Sequence, residues 1–136
     1  MATGKGGGFS AEERAAMKER AKELKAGAGE QDLLDKIAEM DQPDRAMAER
    51  LHAIVREVAP QLTPRTWYGM PAYAKDGKVL CFFQPGSKFK TRYSTLGFQD
   101  VARLDDGDMW PVTFAITRMT DEVEARITEI LRTALA

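Results

Sequence analysis

Cysteine and histidine are almost absent from this chain: each occurs once in 136 residues, as Cys81 and His52. A single cysteine forms no intramolecular disulfide, and its flanks, Leu80 and Phe82, mark it as a buried small hydrophobe. A single histidine excludes the His-rich sites that borderline metal ions prefer. An excess of charge is also lacking. Twenty Lys and Arg oppose twenty-one Asp and Glu, for a net charge of −1. A general nucleic-acid binder carries a basic excess. Nucleic acid is therefore not an expected partner, and any anion site must be a local patch. No apolar run approaches the ~18 residues of a membrane span. Residues 1–8 are Gly-rich and lack the apolar stretch of a secretory signal. The expectation is a cytoplasmic protein that does not enter a membrane. Gly4-Lys5-Gly6 lacks the Ser or Thr and the preceding strand that a phosphate loop needs, so it reads as a flexible tail.

What is present fits one folded unit. Hydrophobic residues make up 43% of the chain and charged residues 30%, which is the balance of a globular domain. Ser10-Ala11-Glu12-Glu13 has the form of a capping box. It predicts a helix over residues 10–27, ending at Gly27. That helix carries few apolar residues (Met17, Ala21 and Leu24), so residues 1–29 read as a tail with a loosely packed helix. Residues 30–136 read as the α+β domain proper. A short helix is expected over 31–40. The strongest amphipath follows, with Met47, Leu51, Ile54, Val55 and Val58 along one stripe of period 3.6. Pro60 and Pro64 are expected to end it.

The period then changes. Residues 67–75 and 78–83 are β-prone, and Asp76-Gly77 between them is a hairpin signal because both turn residues need positive φ. Residues 88–93 alternate, with Lys88, Lys90 and Arg92 against Phe89, Thr91 and Tyr93, which reads as a half-buried strand. Residues 112–117 read as a further strand. Thr120 is a good N-cap for a last helix that places Val123, Ile127, Ile130, Leu131 and Leu135 on one face. The expected architecture is an antiparallel sheet of about four strands, with helices from both ends of the chain packed on it.

The stretch Trp67-Tyr68-Gly69-Met70-Pro71-Ala72-Tyr73, preceded by an amphipathic helix and followed by Gly77-Lys78-Val79 and Phe82-Phe83, resembles the YdhG-like family, a bacterial group of unassigned function. The resemblance covers roughly residues 31–136. It implies a compact α+β domain. One family member is described as a frataxin-like intracellular iron chaperone, so the resemblance also brings an iron-handling alternative. Many members carry a Lys-His pair after the second strand. Here the stretch is Ser87-Lys88-Phe89-Lys90, and a role for that histidine does not transfer.

Three sets of residues are candidates for chemistry. Trp67, Tyr68, Gly69, Met70, Pro71 and Tyr73 could line a pocket at a backbone bend, or form a strand kinked by Gly and Pro. Lys88, Lys90 and Arg92 could hold an anion beside Tyr93 or Trp110, or form a solvated edge that discourages aggregation. Asp105, Asp106 and Asp108 lack the spacing of a calcium loop. Asp121, Glu122 and Glu124 suit the first turn of a helix. His52 and Cys81 do not make a nucleophile and base from sequence alone. No catalytic residue, metal ligand or cofactor is expected. The sequence favours a non-enzymatic domain for a small ligand or a protein partner, with a homodimer left open. An unassigned enzyme is a further alternative.

Overall fold

The computed structural model describes residues 28–136, together with Ala11 and Arg14. The expected helix over residues 10–27 lies otherwise outside the described residues. The first element is helix α1 (Ala28–Ala38), which starts inside the stretch 1–29 expected to be a tail and before the short helix expected over 31–40. Helix α2 (Asp44–Val58) follows, then strands β1 (Thr63–Trp67), β2 (Met70–Lys75) and β3 (Lys78–Gln84). A single helical turn, α3 (Gly86–Phe89), leads to β4 (Ser94–Phe98) and β5 (Thr113–Ile116), and helix α4 (Asp121–Leu135) closes the chain. The five strands form one antiparallel meander in the order β1-β2-β3-β4-β5. The α+β class holds, with five strands rather than about four.

Alternation along each strand separates two faces. Tyr73, Cys81, Phe83, Leu96, Phe98 and Ile116 point to one side and meet Leu33 and Ile37 of α1, Leu51 and Val55 of α2, and Ile127 and Leu131 of α4 in a continuous core. On the other face Ala72, Phe82 and Gly97 lie opposite one another in register. Trp67 packs on Phe82 there, with ring centroids 5.2 Å apart. Helices α2 and α4 are tied by a bidentate pair, Arg50 Nη2 to Glu124 Oε1 at 2.6 Å and Arg50 Nε to Glu124 Oε2 at 3.1 Å. The hydrogen bond lowers the Glu124 pKa and raises that of Arg50.

The expected strand over residues 67–75 holds only the last residue of β1, then a two-residue turn and β2, while residues 63–66 of β1 lie before it. Tyr68 and Gly69 have φ of 51° and 75°, so both occupy the left-handed region, as Asp76 and Gly77 do at 51° and 82°. Paired positive φ values match the right-handed twist of the flanking strands. The Gly and Pro thus do not kink one strand. Gly69 closes the β1–β2 hairpin, and Pro71 sits opposite Thr66, one residue before the β2–β3 ladder begins at Ala72. Pro64 does not end the helix; it lies in β1, at the edge of the sheet, where a missing N–H costs little.

The strand expected over residues 88–93 does not exist. Pro85 and Gly86 open the helical turn α3, and Lys90 at φ 58° reverses the chain. Lys88, Lys90 and Arg92 therefore share no strand face. At the other end, Thr120 caps α4 as its sequence implies: its Oγ1 accepts from the Val123 N–H at 3.2 Å. Among the described residues no helix is long and apolar enough to cross a membrane.

Candidate functional site

Two reversals of the chain meet beside the end of α1. The Tyr68-Gly69 turn approaches from the sheet, and α3 approaches from the β3–β4 connection. A cavity of about 300 Å³ lies where they converge, lined by Lys36 in the last turn of α1, by Glu39, Met40 and Asp41 at the α1–α2 connection, by Gly69, and by Pro85, Ser87 and Lys88. Lys88 Nζ lies 3.3 Å from the place a Gly69 Cβ would occupy, so the ammonium rests against the turn. It is also 5.8 Å from the Phe89 ring centre. Lys36 Nζ pairs with Glu39 Oε1 at 3.5 Å. Lys88 and Asp41 belong to none of the ion pairs formed among the described residues.

The wall that carries Ser87 and Lys88 is held by a buried carboxylate. Asp44, only 4% exposed, stands in the first turn of α2. It accepts from the Ser87 N–H at 2.9 Å, from the Ser87 hydroxyl, and from the Ser94 hydroxyl at 3.1 Å. Ser94 Oγ in turn accepts from the Gly86 N–H at 3.0 Å. Three donors satisfy the oxygens of this buried carboxylate. Here those donors come from residues 43 and 50 positions away in sequence. Asp44 thus fixes α3 and, with it, the root of Lys88.

The remaining sequence candidates are dispersed. Tyr68 is 82% exposed at its turn and makes an edge contact with Trp67, ring centroids 4.9 Å apart. Trp67 lines a shallow depression with Arg65, Lys78 and Asp100 on the sheet face away from the helices. Met70 and Pro71 are buried. Arg92 stacks over the Tyr93 ring at 5.4 Å, and the two line a separate cleft near Asp44. Lys90 is exposed at its reversal, and Trp110 is half-buried in the β4–β5 connection. Of the candidate residues, Gly69 and Lys88 come together in the cavity. The sequence reading missed Lys36, Glu39, Met40, Asp41 and Ser87.

His52 does not face Cys81 as a base. Its Nδ1 lies 2.9 Å from the Tyr73 hydroxyl and its Nε2 lies 2.8 Å from Glu30 Oε2. A carboxylate only accepts, so in the neutral ring Nε2–H donates to Glu30 and the Tyr73 hydroxyl donates to Nδ1. Arg56 joins through Nε, 3.4 Å from the same Glu30 oxygen. This chain links α1, α2 and β2. Burial, with the Cys81 and Glu30 charges behind it, raises the Tyr73 pKa well above the phenolic range, while Arg56 opposes that rise. Burial alone pushes the Cys81 thiol up to about 12. Both side chains are fully enclosed, so neither is presented to a substrate.

Among the described residues no three of His, Cys, Asp and Glu come together as a metal-holding group. Compared with protein-family models, curated proteins and solved structures, the chain matches none of them.

Proposed function

We propose that this chain is a non-enzymatic binding domain that takes a small polar molecule in the cavity beside the Tyr68-Gly69 turn. The observation that carries this reading is the Lys88 ammonium, without an ion-pair partner among the described residues and held against Gly69 at the wall of a cavity of about 300 Å³. Small-molecule sites are concave, with a few polar groups converging on the ligand, and this cavity is at the lower end of their ~300–1,000 Å³ range. An unpaired cation on a wall fixed by a buried carboxylate has little rotational freedom to lose at its root when a ligand arrives. The proposed membership of the YdhG-like family rests on the residues around Tyr68-Gly69-Met70-Pro71. A binding role is favoured over catalysis because, among the described residues, the two groups with strongly raised pKa values, Tyr73 and Cys81, lie in the core and not in the cavity lining.

The test is a chemically diverse fragment set titrated against isotope-labelled protein and followed by amide chemical shifts. Fragments that bind are expected to move the amides of Asp41, Gly69, Ser87 and Lys88 together. Shifts confined to the sheet face around Trp67 and Phe82, or no shifts at all, reject the cavity as the site.

A further inference from the structure

We infer that the molecule this cavity takes is a small zwitterion, carrying one carboxylate and one ammonium, of the kind a free amino acid with an uncharged side chain represents. The inference rests on the cavity reading above and narrows it to a ligand class. The lining contains two cations, Lys36 and Lys88, and two anions, Glu39 and Asp41. Lys36 and Glu39 already offset one another across 3.5 Å. Among the described residues this leaves one unpaired charge of each sign in the lining: the Lys88 ammonium on the α3 side and the Asp41 carboxylate on the α1–α2 side.

That residue of charge selects by sign. A singly charged anion gains from Lys88 but meets the field of Asp41 and Glu39. A simple cation meets Lys88. A multiply charged phosphate compounds the first problem, because like charges brought close in a partly enclosed space repel more than they do in water. A dipolar ligand engages both free groups with charge-assisted hydrogen bonds. Met40 and the buried Pro85 add apolar surface to the lining, which suits a short aliphatic portion. The cavity volume of about 300 Å³ suits a compact molecule rather than a nucleotide or a peptide.

The experiment compares three probes on the full chain at low salt, by calorimetry and by amide shifts. They are an uncharged-side-chain amino acid, the carboxylic acid lacking its amine, and the amine lacking its carboxylate. The amino acid is expected to move the Gly69, Ser87 and Lys88 amides and to bind about fivefold or more tightly than either half, the scale of one exposed ion pair. Lys88→Met should reduce its affinity to that of the amine, and Asp41→Asn to that of the acid. Both side chains are on exposed residues, so both variants should fold. If the acid alone binds as tightly as the amino acid, the zwitterion inference is overturned while the cavity reading stands. If none of the three moves the cavity amides, the zwitterion inference is overturned as well. The fragment titration then decides the cavity reading separately.

Discussion

At the scale of single residues, two positions show how closely this sheet is fitted. Gly97 lies opposite Phe82, and a Cβ added there would come within 2.2 Å of the Phe82 ring. The ring lies across the glycine, which is why a bulky aromatic fits on a face that no described helix covers. Gly97→Ala must displace Phe82 and its contact with Trp67. Overpacking of this kind costs about 1–3 kcal/mol. Urea unfolding should show a loss in that range, and Phe82→Leu in the same background should recover part of it. An unchanged midpoint would mean that Phe82 moves aside freely. Asp44 is the second position. Asp44→Ala leaves the Ser87 N–H and the Ser87 and Ser94 hydroxyls without their acceptor. Hydrogen bonds to a charged group contribute about 1.5–3 kcal/mol, so a destabilisation of about 3 kcal/mol is expected. The Lys88 amide shift should move with it, because α3 loses its anchor. A shift of stability with no change at Lys88 would show that α3 holds itself in place.

At the scale of elements, local signals succeed where one residue decides the structure. Thr120 caps α4 through its own hydroxyl, and Thr120→Ala should cost about 1 kcal/mol in thermal or urea unfolding. No loss would mean that packing of Ile127 and Leu131 alone fixes the start of α4. Asp76-Gly77 was legible for the same reason, since its residue types favour the φ values it adopts. Tyr68-Gly69 adopts nearly the same angles but opens with a tyrosine, which carries no turn signature. The turn therefore falls inside the stretch expected as one strand, and residues 63–66 of β1, which include Pro64, lie outside that stretch altogether. Residues 88–93 misled in the opposite direction. Their alternation mimics a strand, yet the Pro85-Gly86 start and the left-handed Lys90 make a helical turn and a reversal. Alternation reports a strand only where the backbone continues, and nothing local records where it stops. The Asp44 contacts that hold this turn join segments more than forty residues apart, beyond the reach of any window.

At the scale of the whole molecule, the helix faces and the core were legible from periodicity, and so was the α+β class. The cavity was legible only in part. Gly69 and Lys88 could be named, but Lys36 and Asp41 reach it through the packing of α1 on the sheet. The same packing gives the fold a pH limit. Tyr73 and Cys81 are register partners between β2 and β3, both fully enclosed under the helices. Burial disfavours the charged form of each, so both hold their protons in the native state beyond the pH at which an unfolded chain releases them. Cys81 is pushed from 9.0 up to about 12, and Tyr73 rises well above its ordinary 10.0. The sign follows directly: a raised acid pKa means the unfolded state binds fewer protons above pH 9, so rising pH favours unfolding. The stability these neutral groups contribute is full below pH 9 and is lost progressively as pH climbs toward about 12. Each group adds a slope of at most about 1.4 kcal/mol per pH unit. Urea unfolding across that alkaline window should show stability falling with pH in the parent chain. The fall should be shallower in Cys81→Ala and shallower again in Cys81→Ala with Tyr73→Phe. Tyr73→Phe also removes the hydrogen bond to His52, so its absolute stability drops; the slope is the diagnostic quantity. Equal alkaline slopes in the parent and in both variants would show that these two groups are not what limits the fold at high pH.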